Sequence, residues 1–292
     1  MIDLPSIGCY SLEMNSATSD RSNPLPVTAN GKSAGEVARA CSTAAGNVLR
    51  TAFASERAVS HKGRGNVVTK YDVEVERMVE AMLREAFPKH GLLGEETAAE
   101  TPAEGYVWVL DPIDGTRNFA SGIPFFAFNL ALTLDGEPVL GLTLDPVRGE
   151  IFYAERGRGL LVNGVPARAS DKKTVMESVV AIDVGFDDQV GKQQLGFAYR
   201  LYPGLQTLRV PGSAALGLAY AASGRYDCYS HGSLCPWDSA AGILLVVEGG
   251  GVVTNREGDA ATIFDAAALA GGPAVQADFL RLWREYVAAS ER

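Results

Sequence analysis

Apolar residues in the first third of the chain repeat at helical spacing. The segment SAGE (33–36) has the residues of a capping box, in which side chains satisfy the first backbone N–H groups of a helix. The apolar positions behind it predict one helical face to about Glu56: Val37, Cys41, Ala44, Val48 and Ala52. A second capping box, TKYD (69–72), precedes a similar face that ends before Pro88: Val75, Met78, Val79, Met82 and Leu83.

From GLLGEE (91–96) the pattern changes to short apolar runs separated by turn residues. We expect a short strand that ends at acidic residues there, followed by strands over 106–110, 125–134, 139–144, 150–154 and 159–162. The Asp135-Gly136 pair is typical of a hairpin turn. These runs predict an antiparallel sheet that packs on the first two helices.

Beyond Pro166 strands and helices alternate, which is typical of a layered α/β unit. The predicted strands are 179–183, 205–210, 226–229, 251–254 and 266–270, and the predicted helices are 189–199, 213–222, 236–248 and 274–288. We therefore predict two subdomains, 33–165 with helices and the antiparallel sheet, and 166–292 of α/β type. Residues 1–32 are rich in Ser, Asn, Thr and Pro and predict a disordered tail.

Composition narrows the function. A chain of 292 residues exceeds the usual size of a single hydrophobic core, and a net charge of −9 argues against a nucleic-acid partner. No apolar run reaches the length of a membrane span, so we expect no membrane partner. The four cysteines include no CxxC pair, which favours reduced thiols and a cytoplasmic protein.

Candidate chemistry is concentrated in WVLDPIDGTRNF (108–119). Asp111 precedes a proline and is therefore expected at the exit of a strand, and Pro112 is expected to turn the chain. Asp114, Gly115 and Thr116 then begin a helix, where unpaired N–H groups bind phosphate oxygens. Two hard oxygen ligands beside a phosphate cradle suit a magnesium-dependent phosphate site.

Simpler interpretations exist for each acid taken alone. Asp-Pro and Asp-Gly are common in turns, Glu95 suits a helix cap or a solvated surface, and Asp238 suits the first turn of a helix beginning at Pro236. The occurrence of all of them at the ends of predicted elements favours a shared site.

Four ordered blocks together resemble the inositol monophosphatase family, within the lithium-sensitive, magnesium-dependent phosphatases. They are KGRGNVVTKYD (62–72), GEE (94–96), WVLDPIDGTRNF (108–119) and the segment from PGSAALGLAYAASGRYD to PWDSAAG (211–242). The resemblance implies a layered αβαβα sandwich (α+β or α/β in class), a homodimer, and hydrolysis of a small phosphate monoester by metal-activated water. It also implies inhibition by lithium.

The resemblance implies a role for each matching residue. Glu95, Asp111, Asp114 and Asp238, with the carbonyl of Ile113, correspond to ligands of two to three Mg²⁺ ions. Thr116 and Asp72 correspond to the pair that positions the attacking water, with Glu95 also in the catalytic set. The substrate contacts implied are Gly115, Thr116, Gly212, Ser213, Ala214, His231 and Lys62.

Charge supports the same interpretation independently. Four carboxylates carry −4, and a phosphate monoester adds about −2 near neutral pH. Bringing these groups together without cations would cost more free energy than folding offsets. Two or three divalent ions supply the required positive charge.

The substrate stays open at this stage. Inositol monophosphate comes first, with fructose-1,6-bisphosphate, histidinol phosphate and 3′-phosphoadenosine nucleotides as alternatives, and a non-catalytic metal or inositol-phosphate binding protein as a different class. His231 stands where the family typically has a glutamate that binds inositol hydroxyls. We expect either that His231 turns away or that it relaxes specificity toward substrates with a second anionic group.

Overall fold

The computed structural model describes residues 25–55, 59–63, 66–96, 105–185 and 187–290, with the side chains of 59–67 excepted. The helices are α1 (Ala34–Phe53), α2 (Lys70–Ala86), α3 (Thr116–Ser121), α4 (Asp188–Leu201), α5 (Ala214–Ala222), α6 (Pro236–Glu248) and α7 (Pro273–Ser290). The first strands are β1 (Val59–Gly63), β2 (Asn66–Thr69), β3 (Gly91–Gly94), β4 (Tyr106–Asp114), β5 (Ala127–Leu134), β6 (Glu137–Asp145) and β7 (Glu150–Glu155). The remaining strands are β8 (Leu160–Val162), β9 (Val165–Ala167), β10 (Val179–Asp183), β11 (Thr207–Arg209), β12 (Cys228–His231), β13 (Val252–Thr254) and β14 (Ala268–Gly271).

Both predicted capping boxes are confirmed. The Ser33 backbone N–H donates to the carboxylate of Glu36 at 2.8 Å, and the Glu36 N–H donates back to the Ser33 hydroxyl. At the second helix, the N–H of Thr69 donates to Oδ2 of Asp72 at 2.8 Å. The caps fix where α1 and α2 begin, and the second one also fixes the side chain of Asp72.

The first sheet has the strand order β3-β4-β5-β6-β7-β8-β9 and is antiparallel except between β3 and β4. Helices α1 and α2 pack on one face of this sheet around an apolar core that includes Leu49, Val79, Phe119 and Leu142. Helices α5 and α6 pack on its other face.

The second sheet has the order β11-β10-β12-β14-β13. Strands β11, β10 and β12 are parallel, and β14 is antiparallel to both of its neighbours. Helices α5 and α6 lie against its inner face, and α4 and α7 lie against its outer face. The layer order is therefore α-β-α-β-α, as the family resemblance implied.

Strand β4 differs from the prediction at Pro112. The expectation that the proline stops the strand is wrong, because β4 continues to Asp114 and still pairs with β5. Asp111 pairs with Asn129 and Asp114 with Ala127, so three steps along β4 face two along β5. Such a bulge accommodates a proline, which has no N–H to donate to the ladder. The bulge lies between the two acids of the motif.

Smaller differences occur at the boundaries of the predicted elements. Residues 28–32 form a turn, with the N–H of Thr28 donating to the carbonyl of Lys32 at 2.8 Å, and Val27 pairs with Ser33, whereas the sequence predicted a disordered tail over 1–32. Residues 1–24 of that tail lie outside the described residues. The hairpin of β1 and β2 was not predicted. The division at residue 165 stays a prediction, because α5 and α6 belong to the second half and pack on both sheets.

The helices give no sign of a membrane span. Within the described ranges, none combines the length and the apolar composition that crossing a bilayer requires.

Candidate active site

Three buried or partly buried carboxyl groups meet where β4 ends and α6 begins. Asp111, Asp114 and Asp238 each offer an oxygen atom, and these atoms all lie within 4.8 Å of one another. The bulge in β4 presents the first two, and the first turn of α6 presents the third.

Asn129 holds the two elements together. It pairs with Asp111 across the sheet, and its side-chain amide donates to the carbonyl of Trp237 at 2.7 Å. Its carbonyl oxygen accepts from the hydroxyl of Thr143 at 2.7 Å, which fixes the orientation of the amide. This buried asparagine thus places the start of α6, and with it Asp238, against the end of β4.

The electrostatics of the cluster disfavour ionised carboxylates without a counter-charge. Burial raises the pKa of Asp111 well above its usual range, and the charges of Glu95, Asp114 and Asp238 raise it further. Burial raises the pKa of Asp114 to about 7 and that of Asp238 to about 6. Hard carboxylate oxygens that converge in a buried site and repel one another are the donor set that a divalent cation requires.

The register of β3 and β4 places Glu95 beside this carboxyl cluster. Strand β3 runs parallel to β4 with Gly94 opposite Leu110, so Glu95, the first residue after β3, comes at the level of Asp111 in β4. The charge of Glu95 is the second largest cause of the raised pKa of Asp111. Glu95 therefore lies near Asp111, beside the cluster that Asp111 forms with Asp114 and Asp238.

Thr116 links the acid cluster to α2. Its hydroxyl oxygen lies 3.1 Å from Oδ1 of Asp72 and 2.8 Å from the carbonyl oxygen of Ile113. Burial raises the pKa of Asp72, whose other carboxylate oxygen accepts from the backbone and hydroxyl of Thr69. The hydroxyl proton of Thr116 is directed toward these two acceptors, which leaves its oxygen able to accept a hydrogen bond.

Gly115 makes the turn from β4 into α3. Its φ of 88° lies in the left-handed region, and a Cβ atom there would lie 3.0 Å from the carbonyl oxygen of Gly212. Within the described part of the chain, the N–H groups of Gly115 and Thr116 donate to no protein acceptor. Two adjacent unpaired N–H groups beside the carboxyl cluster suit a phosphate oxygen.

The segment 212–214 is held mainly by carboxylates. The Ser213 hydroxyl and the N–H of Ala214 donate to Asp114, and the N–H of Gly212 donates to Asp183 at 2.8 Å. These polar groups are therefore already engaged by the protein. The predicted substrate contacts of Gly212, Ser213 and Ala214 stay a proposal.

His231 lies at the carboxyl end of β12, level with Asp183 at the end of β10. Its Nδ1 accepts from the N–H of Ser233 at 3.1 Å. Burial, and secondarily the charge of Arg256, lowers its pKa to about 4. At neutral pH the ring is therefore uncharged with its proton on Nε2, which makes it a donor at that atom. Lys62 lies in β1, and its side chain is outside the described residues.

Sequence reasoning missed three polar residues that shape the site. Asn118 donates its side-chain amide to the carbonyls of Phe125, Pro211 and Gly212. Asp183 holds segment 212–214 through the N–H of Gly212, and Asn129 holds the start of α6 through the carbonyl of Trp237. Asn118 belongs to the motif WVLDPIDGTRNF (108–119), but Asp183 and Asn129 are single polar residues in apolar strands, and no spacing marks them as part of a site.

Comparison with known proteins finds relatives of the family that the four sequence blocks resemble. The sequence matches the profile of the inositol monophosphatase family over residues 32–289. It is 35% identical over 231 residues to inositol monophosphatase 2 of Solanum lycopersicum, covering 76% of this chain and 87% of that protein. It is 40% identical over 206 residues to Nus factor SuhB of Pseudomonas aeruginosa, covering 68% of this chain and 76% of that protein.

Solved structures agree with the sequence matches. The extragenic suppressor protein suhB from Bartonella henselae superposes with a TM-score of 0.82 at 33% identity, covering 86% of this chain and 98% of that one. The Thermotoga maritima IMPase superposes with a TM-score of 0.79 at 32% identity, covering 86% and 97%. The resemblance seen in the four sequence blocks is thereby confirmed, and the chain belongs to the inositol monophosphatase family.

Proposed function

We propose that the chain hydrolyses a small phosphate monoester with Mg²⁺, and that inositol monophosphate is its preferred substrate. The observation that carries this proposal is the cluster of Asp111, Asp114 and Asp238 within 4.8 Å, beside the unpaired N–H groups of Gly115 and Thr116. The first group suits divalent cations and the second suits phosphate oxygens.

The carboxylates of the cluster, Glu95 and the carbonyl of Ile113 would hold two to three Mg²⁺ ions. When bound, Mg²⁺ supplies Lewis acidity and the positive charge that the phosphate group and the four carboxylates require. The donor set fits this role because it consists of hard oxygen atoms whose repulsion already raises the pKa of Asp111.

Thr116 and Asp72 would position the attacking water. The hydroxyl of Thr116 directs its proton toward Asp72 and Ile113, so its oxygen can accept a hydrogen bond from a water molecule. The N–H groups of Gly115 and Thr116 would bind a phosphate oxygen and hold the phosphorus in line with that water.

The choice of inositol monophosphate rests on relatives named for that activity, including the Solanum lycopersicum and Thermotoga maritima proteins. The relatives called SuhB carry names that state no substrate. Lithium inhibition, the homodimer and the cytoplasmic location stay predictions from the family resemblance.

His231 favours a second candidate substrate, a sugar bisphosphate. Where the family resemblance implies a carboxylate, this chain has a neutral imidazole whose Nε2 carries the proton and can donate a hydrogen bond. A donor without negative charge tolerates a second phosphate group better than a carboxylate does, because a carboxylate repels anions.

A substrate panel tests the proposal. Phosphate release from inositol monophosphate, fructose-1,6-bisphosphate, histidinol phosphate and 3′-phosphoadenosine 5′-phosphate is measured as kcat/KM with Mg²⁺ and then with EDTA. The proposal requires Mg²⁺-dependent release with the highest kcat/KM for inositol monophosphate. A higher value for the bisphosphate supports the second candidate, and no release from any of the four supports a non-catalytic binding protein.

A further inference from the structure

A fully buried glutamate lies beneath the turn that carries Glu95. Glu76 in α2 has no exposed surface, and its Oε2 accepts from the backbone N–H of Glu96 at 2.9 Å. The partner N–H belongs to the residue next to Glu95. The hydrogen bond therefore ties the position of Glu95 to helix α2.

Gly94 provides the space for this contact. A Cβ atom on Gly94 would lie 2.7 Å from the carboxyl carbon and from Oε1 of Glu76, and 2.9 Å from Oε2. Any side chain at residue 94 would push the carboxylate away from the Glu96 N–H. The hydrogen bond from the Glu96 N–H to Glu76 therefore requires glycine at residue 94 as well as glutamate at residue 76.

The position of the turn gives the contact its importance. Strand β3 has four residues, lies at the edge of its sheet and ends immediately before Glu95. Helix α2 also carries Asp72 one turn before Glu76, and Asp72 contacts Thr116. One face of α2 therefore supports both the Asp72–Thr116 pair and the turn that presents Glu95.

We propose that Glu76 is a positioning residue of the metal site, acting through the N–H of Glu96 to hold Glu95 beside Asp111. The inference rests on the proposed function in one respect, because Glu95 must be a ligand for its position to matter. Residues that orient a ligand from behind typically change metal affinity by about 10- to 100-fold when removed.

The test measures Mg²⁺ binding by titration calorimetry and the Mg²⁺ dependence of phosphate release in parallel. Glu76→Ala should weaken Mg²⁺ binding by about 10- to 100-fold, with kcat largely restored at saturating Mg²⁺. Glu76→Gln should restore most of the affinity, because its amide oxygen accepts from the same N–H. Glu80→Ala, one turn further along α2 in an ion pair with Arg84, is the matched control and should bind Mg²⁺ as the parent does.

Gly94→Ala decides the matter if Glu76→Ala does not fold, since it displaces the carboxylate while keeping Glu76. A folded Gly94→Ala or Glu76→Ala protein with the Mg²⁺ affinity of the parent overturns the inference. A parent that binds Mg²⁺ but releases no phosphate overturns the proposed function alone, and a parent that binds no Mg²⁺ overturns both. A lowered Tm with unchanged Mg²⁺ affinity shows that Glu76 is merely structural.

Discussion

At the scale of single residues, the site depends on carboxyl groups that repel one another. Asp111 is almost fully buried and has Glu95, Asp114 and Asp238 as charged neighbours, all of which raise its pKa. An arrangement of this kind destabilises the protein unless a cation is bound. We therefore expect these carboxyl groups to serve activity through a bound cation, not to stabilise the metal-free fold.

Asp111→Asn should abolish turnover and leave the fold intact. An amide is nearly isosteric but supplies no negative charge, so a transition-state electrostatic contribution worth roughly 10²–10³ in kcat is lost. The measurement is kcat with Mg²⁺, with circular dichroism as the check on folding. Asp259→Asn, at an exposed turn, is the control. Activity within about tenfold of the parent would contradict the assignment of Asp111.

His231→Glu should shift substrate preference toward inositol monophosphate over fructose-1,6-bisphosphate. The substitution exchanges a neutral donor for an acceptor with negative charge, and such an interaction changes a kcat/KM ratio by about 5- to 150-fold. The measurement is the ratio of the two kcat/KM values, with His231→Gln as the uncharged control. A ratio that moves by less than about twofold, or in the other direction, shows that His231 does not contact the substrate.

Some residues of the site were predictable from the sequence and others were not. Asp111 and Asp114 stand in a motif whose proline and glycine mark it as a turn with special chemistry. Asn129 and Asp183 have no such neighbours, and a single polar residue in a strand gives no information about what it faces. Their roles depend on contacts between segments far apart in the chain, as in the bond between Asn129 and Trp237.

At the scale of elements, the two helices that are buried between the sheets, α5 and α6, are recognisable in the sequence because they are apolar on nearly all sides. Nearly every residue of α5 is buried, and α6 is buried over most of its length, as expected for helices between two sheets. Helices α1 and α2 have one apolar face and lie on the outside. Pro112 was misleading in the sequence, because a proline usually ends a strand. Here the extra residue of the bulge accommodates the proline, and β4 continues to Asp114.

The turn between β4 and α3 offers a test at this scale. Gly115→Ala adds a Cβ atom 3.0 Å from the carbonyl oxygen of Gly212 and 3.2 Å from Cβ of Ser213, in a residue whose φ is +88°. The shift of the two N–H groups should lower kcat/KM by about 10².

Gly149→Ala separates strain from crowding. Gly149 has a similar φ of +66°, but an added Cβ atom would meet nothing within 4 Å. It should cost about 1–2 kcal/mol of stability from the left-handed backbone and leave kcat/KM unchanged. Equal losses of activity in the two variants would show that Gly115 has no special role in the site.

At the scale of the whole molecule, the raised pKa values connect folding to pH and metal. Burial raises the pKa of Asp114 to about 7 and that of Asp238 to about 6, whereas in the unfolded chain both are near 3.9. Between about pH 4 and pH 7 the metal-free folded state therefore binds more protons than the unfolded state. By linkage, its stability falls as the pH rises through this range.

Bound Mg²⁺ should remove this penalty. The increase in Tm on adding Mg²⁺ is therefore expected to be larger at about pH 8, where the carboxylates are ionised, than at about pH 5, where protons neutralise them. Differential scanning calorimetry of the EDTA-treated protein at both pH values, with and without Mg²⁺, makes the measurement. An equal increase in Tm at the two pH values would show that Mg²⁺ does not bind through these carboxyl groups.

The central claim is that the carboxyl cluster binds the Mg²⁺ on which phosphate release depends. The most direct measurement adds Mg²⁺ back to the EDTA-treated protein while phosphate release from inositol monophosphate and Mg²⁺ binding are followed together, for the parent and for Asp238→Asn. We predict no release without Mg²⁺, full recovery in the parent as the ion binds, and loss of both binding and release in the variant. Release that continues unchanged in EDTA, or an Asp238→Asn protein that binds Mg²⁺ and releases phosphate like the parent, would contradict the claim.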